Sequence, residues 1–197
     1  YKKKIKVIIS PGNKLAKGIP YKSNVLITGV AGFIGSNLAN YLIKKGYSVS
    51  GIDNLAYGVL EQVPKETHFI NADIRDNEIR KHFKNIDVVF HLAAKNCISD
   101  CQENPVETAD SNITGTVNIF EAAHRAGVRK VIYAESSAMY EGSSIFPTPE
   151  TDTNPRSFYA VSKASTAYFA EVYRRYYGQN TTALRYFNVY GPRQDYR

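Results

Sequence analysis

A tyrosine and a lysine in the second half of the chain are spaced for proton-transfer chemistry. Tyr159 and Lys163 stand four residues apart in an apolar helical pattern, which places both on one helix face. A tyrosine with an ordinary pKa of about 10 is a poor base at neutral pH, but a nearby ammonium group favours the phenolate and lowers that pKa. The pair is therefore a candidate general base with its activator. The alternative is a solvent-exposed Tyr–Lys pair.

A serine pair, Ser136-Ser137, follows the fifth predicted strand and supplies hydroxyl groups at a strand end. A hydroxyl there could hold the substrate oxygen that Tyr159 deprotonates, which makes Ser136 the third candidate catalytic residue. Taken alone, serines at a strand end are more often part of a turn or a helix cap. The spacing is compatible with both interpretations.

Three glycines, Gly29, Gly32 and Gly35, follow the first predicted strand and lead into the first predicted helix. The first permits a tight turn, the second lets a pyrophosphate approach the backbone, and the third lets helix and strand pack closely. The helix N-terminus then offers free N–H groups and a partial positive charge to phosphates. This context predicts a dinucleotide site, whereas the glycines alone would also fit a simple strand-to-helix turn.

Carboxylates after the next two predicted strands are candidates for binding the nucleoside end of such a ligand. Asp53 ends the second strand, 24 residues after Gly29, where it can accept hydrogen bonds from both hydroxyls of a ribose. Because it would repel a 2′-phosphate, the sequence favours NAD over NADP. Asp73 and Ile74 could bracket the adenine. The alternatives are a solvated turn for Asp53 and a helix N-cap for Asp73.

Short apolar runs alternate with helical patterns from Asn24 onward, and these elements must position the candidate residues. Strands separated by helices favour a parallel sheet with helices on both faces, and near-continuous apolar strands fit burial on both sides. Ligands of such sheets bind beyond the carboxyl ends of the strands. The predicted fold class is therefore α/β, a doubly wound parallel sheet. Predicted strands cover 25–28, 47–52, 68–70, 87–91, 130–134 and 181–187, and predicted helices cover 34–45, a segment through 79–83, 105–126 and 159–177.

The composition excludes several protein classes. The 197 residues are 43% apolar, enough for a buried core, and no apolar run approaches the ~18 residues of a membrane span. The net charge of +7 comes from seven lysines in residues 1–22, since residues 23–197 hold 18 basic and 18 acidic residues. Neither nucleic acid nor a membrane is therefore expected as a partner. We expect a basic extension over 1–22, interpreted as a terminal strand, an arm for a polyanion or an expression remnant, and one nucleotide-binding domain over 23–197.

Two cysteines, Cys97 and Cys101, cannot form a disulfide framework, so the sequence favours a reducing, cytoplasmic compartment. Both fall after the fourth predicted strand. Tetrahedral zinc takes four ligands, and only His91 lies nearby in sequence. No metal site is therefore expected, and both cysteines are interpreted as thiols.

In their order along the chain, these motifs resemble the extended short-chain dehydrogenase/reductase family, in its NAD-dependent sugar-nucleotide epimerase/dehydratase branch. The resemblance runs from about Asn24 to Arg197 and implies a Rossmann fold with NAD as cofactor. It rests on the glycine loop, on Tyr159 with Lys163, and on the segments Asp53-Asn54-Leu55, Asp73-Ile74-Arg75, His91-Leu92-Ala93-Ala94, Asn112-Ile113-Thr114-Gly115-Thr116, Ser136-Ser137-Ala138-Met139-Tyr140 and Arg185-Tyr186-Phe187-Asn188-Val189-Tyr190-Gly191-Pro192.

The resemblance also implies roles for the matched positions. Phe33 and Ile34 would lie over the pyrophosphate, and Lys163 would hold the nicotinamide ribose as well as assist Tyr159. Ser136, Ser137 and Asn188 would contact the sugar nucleotide. The complete implied set of cofactor contacts is Gly29, Gly32, Phe33, Ile34, Gly35, Asp53, Asn54, Asp73, Ile74, Leu92, Ala93, Ala94, Asn96, Asn112, Tyr159, Lys163 and Phe187.

The residues beside Ser136 favour one reaction within this family. Similar 4,6-dehydratases carry an Asp-Glu pair directly after the catalytic threonine, and here Ser137 and Ala138 stand at those positions. The resemblance therefore implies 4-epimerisation of a UDP-hexose or a UDP-N-acetylhexosamine, by transient oxidation at C4 and return of the hydride. Tyr159 would take the proton of the C4 hydroxyl. The alternatives are a 4,6-dehydratase or a reductase of the same family, and a catalytically silent NAD-binding protein.

Three features depart from the family pattern. Cys97 and Cys101 lie in the loop expected after the fourth predicted strand, near where the resemblance places the sugar. Glu141 stands where a glycine usually follows the tyrosine, and the sequence stops at Arg197, where relatives continue with a smaller C-terminal substrate domain. We therefore expect residues 1–197 to bind NAD with weak or absent turnover. The two long predicted helices resemble those that pair in dimeric relatives, which implies a homodimer. Its apolar contacts would be Val117, Phe120, Tyr168 and Val172, although each could equally pack on the sheet.

Overall fold

The described part of the chain forms a six-stranded parallel sheet. The structure is a computed structural model that describes residues 22–194, so the basic extension expected over 1–22 lies outside the described residues except for Lys22. The strands are β1 (Asn24–Thr28), β2 (Ser48–Asp53), β3 (His68–Asn71), β4 (Val88–His91), β5 (Lys130–Ser136) and β6 (Thr181–Tyr186). Their order is β3-β2-β1-β4-β5-β6, and each neighbouring pair is parallel. The predicted α/β doubly wound fold is confirmed.

Successive residues of β1 are buried on opposite faces of this sheet. Val25 and Ile27 pack in one apolar cluster with α1 (Phe33–Lys44), whereas Leu26 packs in a second cluster with Phe120. Helices therefore cover both faces, which explains why the strands are apolar along their whole length. Phe120, considered above for a dimer interface, instead packs on the sheet and is fully buried.

Four further helices complete the two layers, and the longest of them carries Tyr159. They are α2 (Ile98–Glu103), α3 (Pro105–Ala109), α4 (Gly115–Arg125) and α5 (Phe158–Tyr177). The Ser157 side chain caps the start of α5 by accepting a hydrogen bond from Ala160 N, and Gly178, with a φ of +66°, ends it in a left-handed conformation. Short 3₁₀ helices cover Leu60–Gln62, Asn77–Phe83 and Ser137–Tyr140.

A π-helical turn over Asp110–Thr114 interrupts the helix that the sequence pattern predicted over 105–126. Within this turn, Asn112 Oδ1 accepts from Lys95 N at 2.8 Å and Nδ2 donates to Lys95 O at 2.9 Å. These bonds fasten the turn to the segment after β4. The prediction of one regular helix is therefore wrong, because contacts between distant residues decide the local geometry.

Three smaller differences separate the structure from the predicted elements. Residues 98–103, for which the sequence predicted no helix, form α2. The segment through Ile79 and Phe83 is a 3₁₀ helix whose N-cap is Asp76, so the alternative of Asp73 as a helix N-cap is wrong. The strand expected over 130–134 extends to Ser136, because pairing with β6 continues to that residue.

Candidate active site

The glycine loop after β1 is fixed by close backbone contacts. Gly29 has a φ of +73°, a conformation that favours glycine, and its N–H donates to Ile52 O at 2.8 Å. A Cβ at Gly35 would lie 2.1 Å from Gly29 O. Only glycine therefore lets α1 begin this close to the turn.

The N-terminus of α1 has the properties of an anion site. Its first turn holds no acidic residue, and no described side chain caps it. The first N–H groups of an α-helix have no partner within the helix, which leaves those of Phe33 and Ile34 available. Among the described atoms, a Cβ at Gly32 would meet only Gly29 O within 4 Å, at 3.3 Å. This open and uncapped helix end fits the pyrophosphate of NAD.

Asp53 is buried, and its carboxylate connects two loops. Oδ2 accepts from Ala31 N at 2.9 Å, and Oδ1 accepts from Leu55 N at 2.8 Å. The alternative of a solvated turn aspartate is therefore wrong. Each carboxylate oxygen has a second lone pair, so Asp53 retains the capacity to accept a hydrogen bond from a ribose hydroxyl.

A polar cluster at the end of β3 joins Asn54, Asp73 and Arg75. Asn54 Nδ2 donates to Asp73 Oδ2 at 2.9 Å, while Arg75 Nε and Nη2 donate to the two oxygens of that carboxylate at 2.8 and 2.7 Å. The hydrogen bond from Arg75 holds the pKa of Asp73 well below its usual range. Asp73 is therefore an ionised anchor for this loop, and the neighbouring Ile74 is buried.

The residues after β4 lie against the glycine loop. Leu92 N and Ala93 N both donate to Thr28 Oγ1 at 3.2 Å. A Cβ at Gly29 would approach Ala93 N to 2.8 Å, so the two segments are in direct contact. The residues that the family resemblance places along the nicotinamide path are the half-buried Leu92, Ala93 and Ala94 and the exposed Asn96.

His91, at the end of β4, is buried between two threonines and was not assigned a role from the sequence. Its Nδ1 lies 2.7 Å from Thr28 Oγ1, and its Nε2 lies 2.8 Å from Thr116 Oγ1. Burial, assisted by the charge of Lys163, lowers the pKa of His91 to about 3. The imidazole is therefore neutral at physiological pH and connects β1 with α4.

Asn112 connects the segment after β4 with the helix that carries Tyr159. Besides its bonds to Lys95, its Nδ2 donates to Ser162 Oγ at 3.0 Å, and Ser162 Oγ donates to Tyr159 O at 2.7 Å. Both amide hydrogens of Asn112 are thus engaged inside the protein. One lone pair of Oδ1 remains for any further contact.

The predicted hydroxyl pair is brought together at the carboxyl edge of the sheet. The side chains of Ser136 and Tyr159 lie near each other, and Ser136 Oγ accepts from Ala138 N at 3.1 Å. Burial raises the pKa of Tyr159, whereas the nearby Ser136 hydroxyl lowers it in part. The structure thus forms a half-buried pair of hydroxyls that could hold one substrate oxygen.

Lys163 is buried, and its ammonium group is engaged with β5. Nζ donates to Ala134 O at 3.1 Å. Burial lowers the pKa of Lys163 to about 8, and the nearby Glu135 carboxylate opposes that shift. The prediction that Lys163 lowers the pKa of Tyr159 is wrong for this arrangement, since burial raises the pKa of Tyr159 and the lysine does not offset it.

Glu135 is a buried charge beside the site that sequence reasoning missed. Its Oε2 pairs with Arg185 Nε at 2.9 Å, and its Oε1 accepts from Tyr133 OH at 3.0 Å. Arg185 Nη1 in turn donates to Tyr140 OH and to Glu150 O, each at 2.5 Å. The sequence signal was a charged residue of each sign at the end of two otherwise apolar strands. The structure shows that Glu135 and Arg185 are partners in the β5–β6 register.

The segment after β6 returns toward the glycine loop. Asn37 Nδ2, on α1, donates to Pro192 O at 2.9 Å, and a Cβ at Gly191 would lie 3.6 Å from the Phe33 ring. Phe187 and Asn188, which the resemblance assigns to cofactor and substrate, are exposed at the same edge, and Ser137 is half-buried.

The cysteines differ in their surroundings. Cys101 is fully buried in α2 and Cys97, at the start of that helix, is exposed. Across residues 22–194, no group of three or more His, Cys, Asp or Glu side chains is arranged to hold a metal ion. Within the same range, no helix combines the length and apolarity needed to cross a membrane.

Comparison with known proteins identifies relatives of this fold and site. Residues 25–197 match the model of the NAD dependent epimerase/dehydratase family. A putative UDP-glucose 4-epimerase of Methanocaldococcus jannaschii is 39% identical over 175 residues, which cover 87% of this chain and 57% of that protein. The UDP-glucose 4-epimerase of Thermotoga maritima, solved with UDP-glucose, has 39% identity and a TM-score of 0.84, with 87% of this chain and 58% of that chain covered.

A dehydratase is also among the structural neighbours. The dTDP-glucose 4,6-dehydratase DesIV of Streptomyces venezuelae, solved with NAD bound, is 29% identical with a TM-score of 0.82, and the match covers 87% of this chain and 57% of that chain. The chain thus spans between half and two thirds of the length of these relatives. Since the family model matches nearly the whole described sheet and its site, the chain belongs to the NAD-dependent epimerase/dehydratase family, whose cofactor is NAD.

Proposed function

We propose that this chain carries the NAD-binding and catalytic part of a UDP-sugar 4-epimerase. The observation that carries the proposal is the proximity of the Ser136 and Tyr159 hydroxyls at the sheet edge that also carries the glycine loop. Names and bound ligands of similar proteins support a UDP-sugar as the substrate.

Each candidate residue has a defined task in this reaction. Tyr159 takes the proton of the C4 hydroxyl at its phenol oxygen, and Ser136 donates a hydrogen bond that stabilises the phenolate. Lys163, whose Nζ donates to Ala134 O, binds the nicotinamide ribose. NAD, when bound, supplies a hydride acceptor and donor for the sugar carbon. The loop from Gly29 to Gly35 and the carboxylate of Asp53 bind and orient that cofactor.

A 4,6-dehydratase is the second candidate, because the family contains both activities. The position directly after Ser136 is a serine, and the acid directly before it is committed elsewhere. Glu135 pairs with Arg185 and accepts from Tyr133, and adjacent residues of a strand point to opposite faces. No acid within this short segment is therefore free to assist elimination, which favours epimerisation.

A homodimer belongs to the same proposal. Tyr168 is 76% exposed and Val172 is 47% exposed on α5, and the nearby Phe169 and Tyr176 are also exposed. Together these side chains form an apolar outer face of α5, which suits pairing with the same helix of a second copy.

The test is product analysis with the purified protein that contains this chain. With NAD, we expect UDP-glucose or UDP-N-acetylglucosamine to convert into its C4 epimer without net formation of NADH. Tyr159→Phe should lower turnover about 100-fold or more, since general acid–base groups contribute factors of that size. Tyr177→Phe, which alters an exposed tyrosine on the same helix, is the matched control and should retain turnover.

Three results would contradict the proposal. A 4-keto-6-deoxy product would identify a dehydratase, and net oxidation or formation of NADH would identify a reductase. Tight NAD binding without conversion of any UDP-sugar would identify a silent NAD-binding protein.

A further inference from the structure

The Glu141 side chain bridges the segment that follows β5 and the start of α5. Its Oε2 accepts from Arg156 N at 3.1 Å and from Ser157 N at 3.0 Å, and its Oε1 accepts from Ser157 Oγ at 2.9 Å. One carboxylate thus binds three donors at the N-terminus of the helix that carries Tyr159. The family pattern has glycine at this position, and glycine has no side chain that could make these bonds.

These contacts form a helix cap assembled from two distant parts of the chain. Ser157 is the N-cap, and its Oγ accepts from Ala160 N at 3.1 Å. In an ordinary capping box, a glutamate three residues after the N-cap bonds back to the N-cap N–H. Here Ala160 occupies that position and cannot do so. Glu141 supplies the missing carboxylate from outside the helix, and its negative charge interacts favourably with the positive end of the helix dipole.

The segment that ends in Glu141 also holds Ser136. Ser136 Oγ accepts from Ala138 N at 3.1 Å, and Glu141 N donates to Ala138 O at 3.1 Å, so this short run is a continuous hydrogen-bonded turn. Tyr159 is the second residue of α5, in the first turn, where helices fray most easily. The Glu141 carboxylate therefore links the segment that carries Ser136 to the helix turn that carries Tyr159.

Other contacts close the base of the loop between Glu141 and Ser157. Asn154 N donates to Met139 O at 2.8 Å, and Gly142 N donates to Asn154 O at 3.0 Å. These bonds involve neither carboxylate oxygen of Glu141. The loop therefore keeps its closure when the Glu141 side chain is removed, and a variant at this position can fold.

We propose that Glu141 is a positioning residue that fixes the first turn of α5 and thereby keeps the Tyr159 hydroxyl against Ser136. The inference rests on the proposed catalytic roles of Ser136 and Tyr159, and its test uses readouts that do not require turnover. Glu141 itself is exposed to solvent and acts on Tyr159 only by fixing the N-terminus of α5.

The experiment compares Glu141→Ala and Glu141→Gln with the unaltered protein. Tyrosine labelled at Cζ reports the titration of Tyr159 by NMR, with the signal assigned through Tyr159→Phe. Hydrogen exchange measured by mass spectrometry reports the opening of residues 157–163. Glu150→Ala is the matched control, because it removes an exposed carboxylate from the same loop and leaves the carbonyl that Arg185 uses.

In Glu141→Ala we expect faster exchange in the first turn of α5 and a Tyr159 pKa that falls toward its ordinary value. The reason is that burial is the largest cause of the raised pKa, and a loosened first turn exposes the phenol. Glu141→Gln, which keeps one acceptor oxygen, should fall between the two proteins. Ser136→Ala should move the titration in the opposite direction, since it removes a nearby hydroxyl that lowers the pKa of Tyr159.

An unchanged Tyr159 titration in Glu141→Ala would overturn the inference, even with faster exchange, because Glu141 would then cap the helix without positioning the phenol. A protein that converts no UDP-sugar but shows the expected titration shift would overturn the proposed reaction and leave the positioning role of Glu141 standing. The two ideas therefore fail separately.

Discussion

The hydroxyl of Thr28 and the imidazole of His91, 2.7 Å apart, have hydrogen-bond roles that leave one tautomer. Thr28 Oγ1 already accepts from Leu92 N and Ala93 N, so its own hydrogen is donated to His91 Nδ1. The proton of the ring is then on Nε2 and is donated to Thr116 Oγ1. The donors and acceptors alternate consistently along this series of hydrogen bonds, because Thr116 Oγ1 in turn donates to Asn112 O at 2.6 Å.

The first prediction concerns Thr116, which accepts the hydrogen bond from His91 Nε2 in this buried series. Thr116→Val keeps the side-chain shape but leaves His91 Nε2–H without an acceptor, and a buried donor without a partner costs about 1–3 kcal/mol. Urea unfolding should show a free energy of unfolding lowered by that amount. Thr114→Val, an exposed threonine of the same segment, is the control and should change the free energy little. Equal losses in the two variants would contradict the buried-donor argument.

The second prediction concerns acid stability. The pKa of His91 is about 3 in the folded protein, against an ordinary value of 6.5, so the unfolded chain binds a proton that the folded chain does not. The contribution is complete above pH 6.5 and is lost as the pH falls toward 3. Within that window its slope is about 1.4 kcal/mol per pH unit.

The measurement is urea unfolding at several pH values in that window, for the unaltered protein and for His91→Asn. An asparagine side chain has no proton to gain in this range, so the variant should lose less stability on acidification, although it is less stable at neutral pH. If the free energy of unfolding fell with pH equally in the unaltered protein and in His91→Asn, carboxylates rather than His91 would cause the acid sensitivity.

The third prediction separates two glycines of the loop. Gly35→Ala places a Cβ 2.1 Å from Gly29 O, so it should lower the free energy of unfolding by about 1–3 kcal/mol and also abolish NAD binding. Gly32→Ala meets Gly29 O at 3.3 Å, a far milder contact, and should lose much less stability than Gly35→Ala. It should nevertheless weaken NAD binding about tenfold or more, because the methyl group fills the space beside the helix end.

Two measurements on each variant are sufficient, urea unfolding without ligand and calorimetric titration with NAD. Gly127→Ala controls for adding a methyl group at a glycine, since no described atom lies within 4 Å of its Cβ position, although its φ of +68° carries a backbone cost. Normal NAD binding by Gly32→Ala would place the pyrophosphate elsewhere.

The fourth prediction concerns the loss of activity at alkaline pH. Lys163 has a pKa of about 8, and the Glu135 carboxylate keeps it from falling further. Glu135→Gln should therefore shift the alkaline limb of the pH–rate profile to lower pH. Glu171→Gln, which removes a carboxylate that pairs with Arg174 on the outer side of α5, should leave the limb in place. A limb that does not move in Glu135→Gln would mean that a group other than Lys163 determines it.

Local spacing was sufficient to predict the parts of the site that one segment builds alone. The loop from Gly29 to Gly35 and the helix positions of Tyr159 and Lys163 follow from residue types and periodicity. Proximity in sequence did not predict the electrostatics, because the Lys163 ammonium bonds to Ala134 O and the Tyr159 phenol is buried. The direction of the Tyr159 pKa therefore required the structure.

Contacts between distant residues explain what the sequence could not provide. Glu141 departs from the family pattern, yet nothing in its neighbourhood indicated that it binds Ser157 sixteen residues later. Glu135 and Arg185 are separated by fifty residues and meet only because β5 and β6 pair in register. Such partners become visible only when the strand order and register are known.

The π-helical turn over Asp110–Thr114 has a consequence for how this gene can vary. The wider turn offsets the angular phase of α4 from that of α3. Each helix is anchored in its own phase, α4 by the buried Phe120 and α3 by the buried Thr108, whose Oγ1 donates to Cys101 O. Deleting one codon here would rotate one helix against the other by about 100° and detach one of the two anchors. This stretch is therefore expected to accept very few insertions or deletions in related genes.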